Sequence, residues 1–358
     1  MILSDLGAEV TKVEQPGVGD YMRLTPPTLR GLSPVHAMVN KNKSSIGLDL
    51  KRPEGREILR RMLKDSSVFI EGFRPGAIER LGFSFEAVKK VNSRIVYCSL
   101  SAFGHANPMS ANPGHDINFQ AMSGALGSES EPRVPYLQIA DLCAGMYAAI
   151  GILGALASER RGAVYIDVPI VQSLMSLLII PVSSYLASGV SPRVGHSLLF
   201  GSEPHYNLYR TADGRSVAVG AIEVVFWENL LREVGLTELR ALTGSEAERA
   251  SVTRKLAETF AKKTRDEWAR LLMRKETCVT PVLDLEDVLN SRWVTKGRVS
   301  RRRRISRQML GSPLSFAPAS TSRPRGAPAL GEQTNTIMRR LGYGKERINE
   351  LRQREIIE

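Results

Sequence analysis

Apolar and polar positions follow two different periods along the first half of the chain. Short runs that alternate between apolar and polar residues, or that are apolar throughout, predict strands. The predicted strands are 9–14, 45–50, 67–71, 95–100 and 164–168. Between them, longer segments with helical periodicity or good helix-forming composition predict helices at 53–64, 85–91, 139–156 and 172–186. Strands that alternate with helices in this way are typical of an α/β fold with parallel strands and helical crossovers.

The pattern changes after residue 188, where the chain becomes rich in serine, proline and glycine. Residues 208–219 predict a hairpin whose turn is Asp213-Gly214. Helices are predicted at 225–234, 247–261, 264–274 and 333–353. The sequence therefore predicts a large domain (1–188), a linker (189–204), a small domain (205–312), a second linker (313–328) and a C-terminal segment (329–358) that returns to the large domain.

Composition excludes several classes of protein. The chain has 358 residues, of which 42% are hydrophobic and 24% charged, as in ordinary globular proteins. Three cysteines are too few for a disulfide framework, and no Cys/His pattern predicts a metal site. The weakly polar stretch 142–157 is short for a membrane span, so we expect a buried helix there. The N-terminus has no signal-peptide pattern, so we expect a cytoplasmic protein without membrane association.

The net charge of +12 suggests an anionic partner. Part of it lies in four consecutive arginines, 301–304, which are flanked by Lys296, Arg298 and Arg307. We expect this run to form a solvated loop or hairpin. The sequence shows no known nucleic-acid-binding motif and no aromatic residues interleaved with the basic ones, so nucleic acid is not an expected partner. An anionic small molecule is the remaining natural partner for a basic pocket.

A set of short motifs then occurs in one order along nearly the whole chain. They occupy 5–14, 43–51, 73–82, 114–118 (Gly-His-Asp-Ile-Asn), 140–141, 278–282 and 330–332. In this order they resemble the family III coenzyme A (CoA) transferases and their relatives, the α-methylacyl-CoA racemases. The resemblance implies a Rossmann-like large domain with a parallel sheet, a smaller inserted α+β domain and an interlocked homodimer. Family members usually begin with a further strand, so an N-terminally short large domain is expected.

The resemblance also implies a chemistry. Racemising the carbon next to a thioester requires a base on one face, an acid on the other and stabilisation of the enolate. In the racemases, the residues at the motif positions of His115 and Asp141 transfer the proton, and the carboxylate at the position of Glu223 orients the imidazole. Glu223 would bring the small domain into the site. Without the resemblance, His115 would be a hydrogen-bonded loop residue, Asp141 a helix cap favoured as carboxylate by the helix dipole, and Glu223 a solvent-facing residue.

Two other functions stay open. In the transferases, the residue at the Asp141 position attacks the thioester and becomes an aspartyl-CoA thioester. Transferases usually lack the histidine of Gly-His-Asp-Ile-Asn and carry a glycine-rich loop in the small domain. This sequence has His115 and Glu223, and we find no such loop, which favours racemisation of a 2-methylacyl-CoA. The third possibility is a CoA-binding protein without catalysis.

The resemblance places CoA, as part of the substrate, along the carboxyl ends of the strands, with no prosthetic group. Arginines suit its phosphates because the guanidinium group can bind two oxygens at once. The residues expected near the nucleotide and phosphates are Gln15, Leu48, Asp49, Leu50, Lys51, Phe73, Arg74 and Arg80. Those expected along the pantetheine are Ala102, Phe103, Gly104, Gly114, Asp116, Ile117, Asn118 and Phe119.

Overall fold

The computed structural model describes residues 1–29, 31–128, 131–159, 161–239, 245–291, 313–314 and 325–358. Contacts divide the chain into two compact units. Unit 1 comprises Met1–Ser123, Pro135–Leu177 and Arg292–Glu358, and unit 2 comprises Gly124–Val134 and Leu178–Ser291. The predicted linker 189–204 belongs to unit 2. The domain boundaries predicted from the sequence stay predictions. The arginine run 301–304 and its basic neighbours lie outside the described residues.

Unit 1 alternates strands and helices, in the order predicted from the periodicity. Its elements are α1 (Ile2–Asp5), β1 (Val10–Glu14), α2 (Pro34–Asn40), β2 (Lys43–Gly47), α3 (Pro53–Lys64), β3 (Val68–Glu71), α4 (Ala77–Arg80), α5 (Phe85–Val91), β4 (Val96–Ser101), α6 (Asp116–Met122), α7 (Ile139–Ala157), β5 (Val164–Pro169) and α8 (Ile170–Met175). Short 3₁₀ turns occupy Tyr21–Leu24 and Leu126–Ser128, the second of them in unit 2.

The strands of unit 1 are paired in parallel, so the predicted α/β class is confirmed. Strand β1 pairs with β2, and β3, β4 and β5 pair in that order. The described strands thus form a two-stranded and a three-stranded sheet, whereas the sequence suggested one. Among the described residues, no strand is hydrogen-bonded to both of these sheets. The sequence did not reveal this division, because periodicity contains no information on strand order.

One face of the three-stranded sheet carries an aromatic row and a polar row. The ring centroids of Phe69 and Tyr97 lie 5.2 Å apart, and those of Tyr97 and Tyr165 lie 5.5 Å apart. Two residues further toward the carboxyl end of each strand, the same face carries polar side chains, namely Glu71, Ser99 and Asp167. Polar groups therefore collect at the carboxyl edge of this sheet, which is where open α/β sheets bind ligands.

The C-terminal segment packs against the two-stranded sheet through α14 (Thr334–Arg340) and α15 (Lys345–Gln353). Met338, Ile356 and Ile357 are buried in the same core as Ile46 of β2. The backbone N–H of Asp49 donates to the carbonyl of Ile356 at 2.9 Å. The last residues of the chain thus complete the core beside β2.

A buried ion pair between Arg23 and Glu14 lies at the end of β1, next to β2. Arg23 donates two hydrogen bonds to the carboxylate of Glu14, at 2.9 and 2.7 Å, and the hydroxyl of Ser45 donates a third at 2.7 Å. Burial alone would raise the pKa of Glu14, but the hydrogen bonds from Arg23 and Ser45 lower it to about 2. Because this pKa is depressed in the folded state, the stabilisation is lost as pH falls from about 4.3 toward 2.

We expect Arg23→Met to lower the free energy of unfolding by about 3–5 kcal/mol, because it leaves the buried carboxylate of Glu14 without its charged partner. Arg340→Met is the matched control, since its ion pair with Glu9 is solvent-exposed and is worth at most about 1 kcal/mol. Urea unfolding at neutral pH measures both variants. Equal effects of the two substitutions would contradict this account.

Unit 2 has an antiparallel sheet and its own core. Its elements are α9 (Ile179–Ser188), a 3₁₀ turn (Leu198–Phe200), β6 (Tyr206–Arg210), β7 (Ser216–Gly220), α10 (Val224–Val234), α11 (Glu246–Phe260), α12 (Arg265–Leu272), β8 (Val279–Pro281) and α13 (Leu285–Asn290). The predicted hairpin is confirmed, because β6 and β7 pair in antiparallel fashion around Gly214, whose φ is +72°. Trp227, Phe260 and Trp268 are buried at the centre of this unit.

Two helices predicted as continuous are each divided in two. The predicted helix 172–186 is α8 and α9 with a break at residues 176–178. Pro181 lies in the first turn of α9, where its missing N–H is tolerated, whereas within a continuous helix its ring would clash with the preceding turn. The predicted helix 333–353 is α14 and α15, separated at Gly342, whose φ is +85°.

Helix α7 is buried on one side only, so the expectation of a buried helix is wrong for its other side. Ala144, Ala148 and Ile152 are buried, but a row of large apolar side chains is exposed. These are Leu142, Met146, Ile150, Leu153 and Leu156, spaced three or four residues apart. Among the described residues, α7 is the one helix long and apolar enough to cross a membrane by length and composition, and 33% of it is buried in the structure.

Candidate active site

The carboxylate of Asp116 joins the two segments that carry the predicted proton-transfer residues. Asp116 is the first residue of α6 and directly follows His115. Its Oδ1 accepts hydrogen bonds from the backbone N–H groups of Ala140 and Asp141, at 2.9 and 3.1 Å. The side chain of Gln120 donates to its Oδ2 at 2.6 Å. The first turn of α6 is thereby fixed against the first turn of α7.

His115 and Asp141 are consequently brought into one region of unit 1. Both residues are exposed at the surface of this chain. The backbone N–H of Asp141 donates to the carboxylate of Asp116 at 3.1 Å, which places Asp141 beside the residue that follows His115. The backbone N–H of His115 donates to the side chain of Asn118 at 3.0 Å, which fixes the residue at the entry of α6. An imidazole and a carboxyl group thus lie near each other and remain accessible.

The pKa of Asp141 is raised above its ordinary value. Desolvation by surrounding atoms is the main cause, and the negative charge of Asp116 adds to it, whereas His115 acts in the opposite direction. The helix dipole argument predicted the opposite direction, and the two causes above outweigh it. Asp141 is not the helix cap either, because α7 begins at Ile139 and its first N–H groups bind Asp116. A carboxyl group with a raised pKa is better suited to donate a proton as well as accept one.

Aromatic packing supports the loop that ends at His115. Phe119 and Phe103 are buried and their rings pack edge to face, with centroids 6.2 Å apart. A β-carbon at Gly114 would lie 2.6 Å from the ring of Phe119, so a side chain at position 114 would displace this packing. Phe103 follows β4, so the strand end and α6 are joined through these two rings. Phe103 and Phe119 therefore leave little side-chain surface for a ligand.

The other residues predicted to bind CoA follow strands β1 to β4, or lie at the end of α4 and around the start of α6. Gln15, Lys51, Phe73, Arg74, Arg80, Ile117 and Asn118 are exposed, Asp49, Leu50, Ala102 and Gly114 are half-buried, and Leu48 and Gly104 are buried. Leu48 packs in the core and pairs with Ile357 through its backbone. The Asp49 carboxylate accepts a hydrogen bond from the backbone N–H of Lys51 at 2.9 Å. These assignments stay predictions.

Glu223 belongs to unit 2, where it is exposed and precedes the first residue of α10. Its side chain makes no capping hydrogen bond to this helix. Its position agrees with the alternative of a solvent-facing residue at a helix entry, and its role in orienting a histidine stays a prediction from the resemblance.

Two surface crevices, of about 380 and 330 Å³, lie in unit 1. The first lies between α3 and the C-terminal helix α15, and the second lies beside the ends of α3 and α7. Neither crevice is lined by His115, Asp116 or Asp141. Among the described residues, no group of three or more His, Cys, Asp or Glu side chains is arranged to hold a metal ion.

Sequence reasoning missed one residue of this region and assigned another differently. Gln120 was not singled out, although it is buried and its amide group donates to both Asp116 and the carbonyl of Leu137, the latter at 2.8 Å. The spacing of Asp116 and Gln120, four residues apart on one helix, is the signal that could have identified the pair. Asp116 was expected beside pantetheine, yet its carboxylate already accepts three hydrogen bonds within the protein.

Comparison with known proteins decides the family. The profile of CoA-transferase family III matches residues 1–334. The chain belongs to this family. The family predicted from the motifs is therefore confirmed.

Members of CoA-transferase family III that resemble the chain over most of its length include both branches. The chain is 34% identical over its whole length to the α-methylacyl-CoA racemase of Homo sapiens, of which it covers 92%. It is 30% identical over 93% of its length to the acetyl-CoA:oxalate CoA-transferase of Acetobacter aceti, of which it covers 88%. A solved CAIB/BAIF family protein from Brucella suis shares the fold, with a TM-score of 0.81 at 28% identity and coverage of 95% of this chain and 93% of that one.

Proposed function

We propose that this protein is an acyl-CoA racemase that exchanges the proton on the carbon next to the thioester of a 2-methylacyl-CoA. The observation on which this rests is the bridge from Asp116 to the backbone of Asp141, which brings a histidine and a carboxyl group into one exposed region. The identity of 34% to a protein named as such a racemase supports the same activity.

The reaction needs one deprotonated and one protonated group. The deprotonated member of the pair His115 and Asp141 takes the proton from the α-carbon, and the electron pair moves into the thioester to form an enolate. The protonated member then delivers a proton to the opposite face, which inverts the centre. The two groups have exchanged protonation states at the end and are reset by solvent. The raised pKa of Asp141 favours a carboxyl group that serves in both directions.

The enolate oxygen requires hydrogen-bond donors close to this pair. The first turn of a helix leaves backbone N–H groups without acceptors in the helix itself. Helix α6 begins at Asp116, immediately after His115, so its first N–H groups lie next to the proposed base. The N–H of Asn118 already donates to the carbonyl of His115 at 2.8 Å, so we propose that the N–H groups of Asp116 and Ile117 stabilise the oxyanion.

CoA transfer is the second candidate, and the similarity to acetyl-CoA:oxalate CoA-transferase favours it. In that reaction the carboxylate of Asp141 would attack the thioester carbonyl and release CoA as a thiolate, forming a mixed anhydride. The thiolate would then attack the Asp141 carbonyl and release the original carboxylate. This mechanism requires Asp141 and gives no role to the imidazole of His115.

Incubation of the protein with one enantiomer of a 2-methylacyl-CoA in D₂O distinguishes the candidates. We expect deuterium at the α-carbon together with formation of the other enantiomer, and no exchange in the free 2-methyl acid, whose α-proton is less acidic. Movement of CoA to an added carboxylate without exchange would instead identify a transferase. Binding of CoA with neither reaction would leave a non-catalytic protein and contradict the proposal.

We further propose that CoA is carried as part of the substrate along the strand ends, with no prosthetic group and no nucleic-acid partner. Arg74 lies shortly after β3 and Arg80 ends α4; both are exposed, and their guanidinium groups suit the phosphates of CoA. A cytoplasmic location is proposed with the same function.

We propose that the protein is a homodimer, because the exposed side of α7 is apolar. Monomeric proteins rarely expose a large continuous apolar patch. The α7 row extends from Leu142 to Leu156 and is interrupted by small residues, which allow close approach of another helix. A second copy of the chain would remove this row from water. No membrane association is required once the row is covered.

The dimer proposal predicts that Ile150→Glu gives a monomer, because it puts a charge in the middle of the α7 row. Leu208→Glu on β6 is the matched control, since the two side chains are similarly exposed, at 62% and 64%. Light scattering on size-separated samples measures the mass. Dimeric Ile150→Glu, a monomeric wild type, or co-flotation of the wild type with lipid vesicles would each contradict the proposal.

A further inference from the structure

The side chain of Asp116 is buried next to the proposed catalytic pair, and hydrogen bonds within the protein occupy most of its acceptor capacity. Asp116 is 6% exposed, and its two oxygens accept three hydrogen bonds from the protein. All three partners are donors, which matches an ionised carboxylate. Three of its roughly four lone-pair directions are occupied within the protein and the side chain is buried, so lining the CoA path is not its main role.

The three hydrogen bonds instead connect residues that are distant in sequence. Two of them reach backbone N–H groups 24 and 25 residues further along the chain, at Ala140 and Asp141. The third comes from Gln120, which also donates to the carbonyl of Leu137, just before α7. The segment that carries His115 and the segment that carries Asp141 are therefore joined through a single side chain.

We propose that Asp116 is a positioning residue, whose carboxylate fixes the backbone of Asp141 relative to His115 and places a negative charge beside the Asp141 side chain. This inference rests on the proposed racemase function. It assigns to Asp116 an influence on the chemical step and on the proton affinity of its neighbour, and little influence on acyl-CoA binding.

Electrostatics support the inference independently of the hydrogen bonds. After desolvation, the charge of Asp116 is the next cause of the raised pKa of Asp141. Removing that charge while keeping the shape of the side chain must therefore lower the pKa of Asp141. Asn at position 116 can still accept the hydrogen bonds from Ala140 and Asp141 through its Oδ1, but its Nδ2 cannot accept the bond from Gln120. Comparison with Gln120→Leu, which removes the same third bond and keeps the charge, therefore separates charge from position.

The test compares Asp116→Asn and Asp116→Glu with the wild type, and Gln120→Leu is the control that keeps the charge and the two backbone bonds. The pKa of Asp141 is read by carbon NMR on protein with labelled aspartate, with Asp141→Asn used for assignment. We expect the pKa of Asp141 to decrease in Asp116→Asn and to stay unchanged in Gln120→Leu. An Asp141 pKa that does not change in Asp116→Asn would overturn the inference, whether or not the protein proves to be a racemase.

Racemisation gives the second readout. We expect kcat to fall about tenfold or more in Asp116→Asn and in Asp116→Glu, because each disturbs the charge or the geometry of the pair, with KM for the acyl-CoA within about threefold of the wild type. For the enantiomer that Asp141 deprotonates, kcat/KM falls at acid pH as Asp141 becomes protonated. This acid limb should move to lower pH in Asp116→Asn and stay in place in Asp116→Glu. An increase in KM with unchanged kcat would indicate a CoA contact and overturn the inference. If Asp116→Asn fails to fold, Asp116→Glu decides between these outcomes.

Failure of the proposed function would look different from failure of this inference. A wild-type protein that shows no exchange in D₂O removes the racemase proposal, and the NMR titration then still reports whether Asp116 controls Asp141. An active wild type with Asp116 variants that affect only KM removes the positioning role alone.

Discussion

Replacement of His115 by alanine is expected to slow racemisation by about 10²–10⁴-fold, the usual contribution of a general acid–base residue. The imidazole is one of two groups that must face opposite sides of the α-carbon, so inversion cannot be completed without it. His115 is exposed, so the substitution should change the free energy of unfolding by no more than about 0.5 kcal/mol. The measurement is the rate at which one enantiomer of a 2-methylacyl-CoA is converted to the other.

The matched control is His196→Ala, because His196 is an exposed histidine of unit 2 and should leave the rate unchanged. CoA transfer to a free carboxylate, assayed on the same His115→Ala protein, tests the alternative branch. If neither the wild type nor His115→Ala racemises the substrate but both transfer CoA, the imidazole has no catalytic role.

Asp141→Asn is expected to cause a loss of racemisation of the same size, about 10²–10⁴-fold. Asparagine keeps the volume of the side chain but neither donates a carboxyl proton nor accepts one at neutral pH. The backbone N–H at position 141 keeps its hydrogen bond to Asp116, so the entry of α7 should remain in place. Binding of the acyl-CoA, measured by calorimetry, should change much less than the rate.

Asp65→Asn serves as the control for this substitution, because Asp65 is exposed at the end of α3. Asp141→Asn does not separate racemase from transferase by itself, since both mechanisms need the carboxylate. The two catalytic variants together do so. A racemase loses activity in each, whereas a transferase loses activity only in Asp141→Asn.

Much of the fold was predictable because local signals and the final structure agree. Strand β1 ends before Gln15-Pro16-Gly17, α3 begins at Pro53, and the hairpin turns at Gly214, each at a residue whose backbone preference favours that feature. Helices α8 and α9 were predicted as one, because apolar periodicity continues through the break while Pro181 does not permit a continuous helix. Strand order, which divides the described strands of unit 1 between two sheets, depends on long-range pairing that periodicity does not contain.

The proposed proton-transfer residues His115 and Asp141 were predictable only through their motifs, since a single histidine or aspartate has several ordinary structural roles. What the motifs could not provide is the contact between residue 116 and residues 140 and 141, which forms only in the folded chain. The direction of the pKa shift at Asp141 was missed for the same reason. A helix dipole can be inferred from sequence, but desolvation and the charge of Asp116 depend on three-dimensional packing.

Exchange without inversion, measured for each enantiomer separately, tests the central claim most directly. If His115 and Asp141 face opposite sides of the α-carbon, each single variant retains the base for one enantiomer only. In D₂O, His115→Ala should incorporate deuterium into the enantiomer that presents its α-proton to Asp141, and Asp141→Asn into the opposite enantiomer, with no inversion in either case. Incorporation into the same enantiomer by both variants would contradict a pair that acts from two sides.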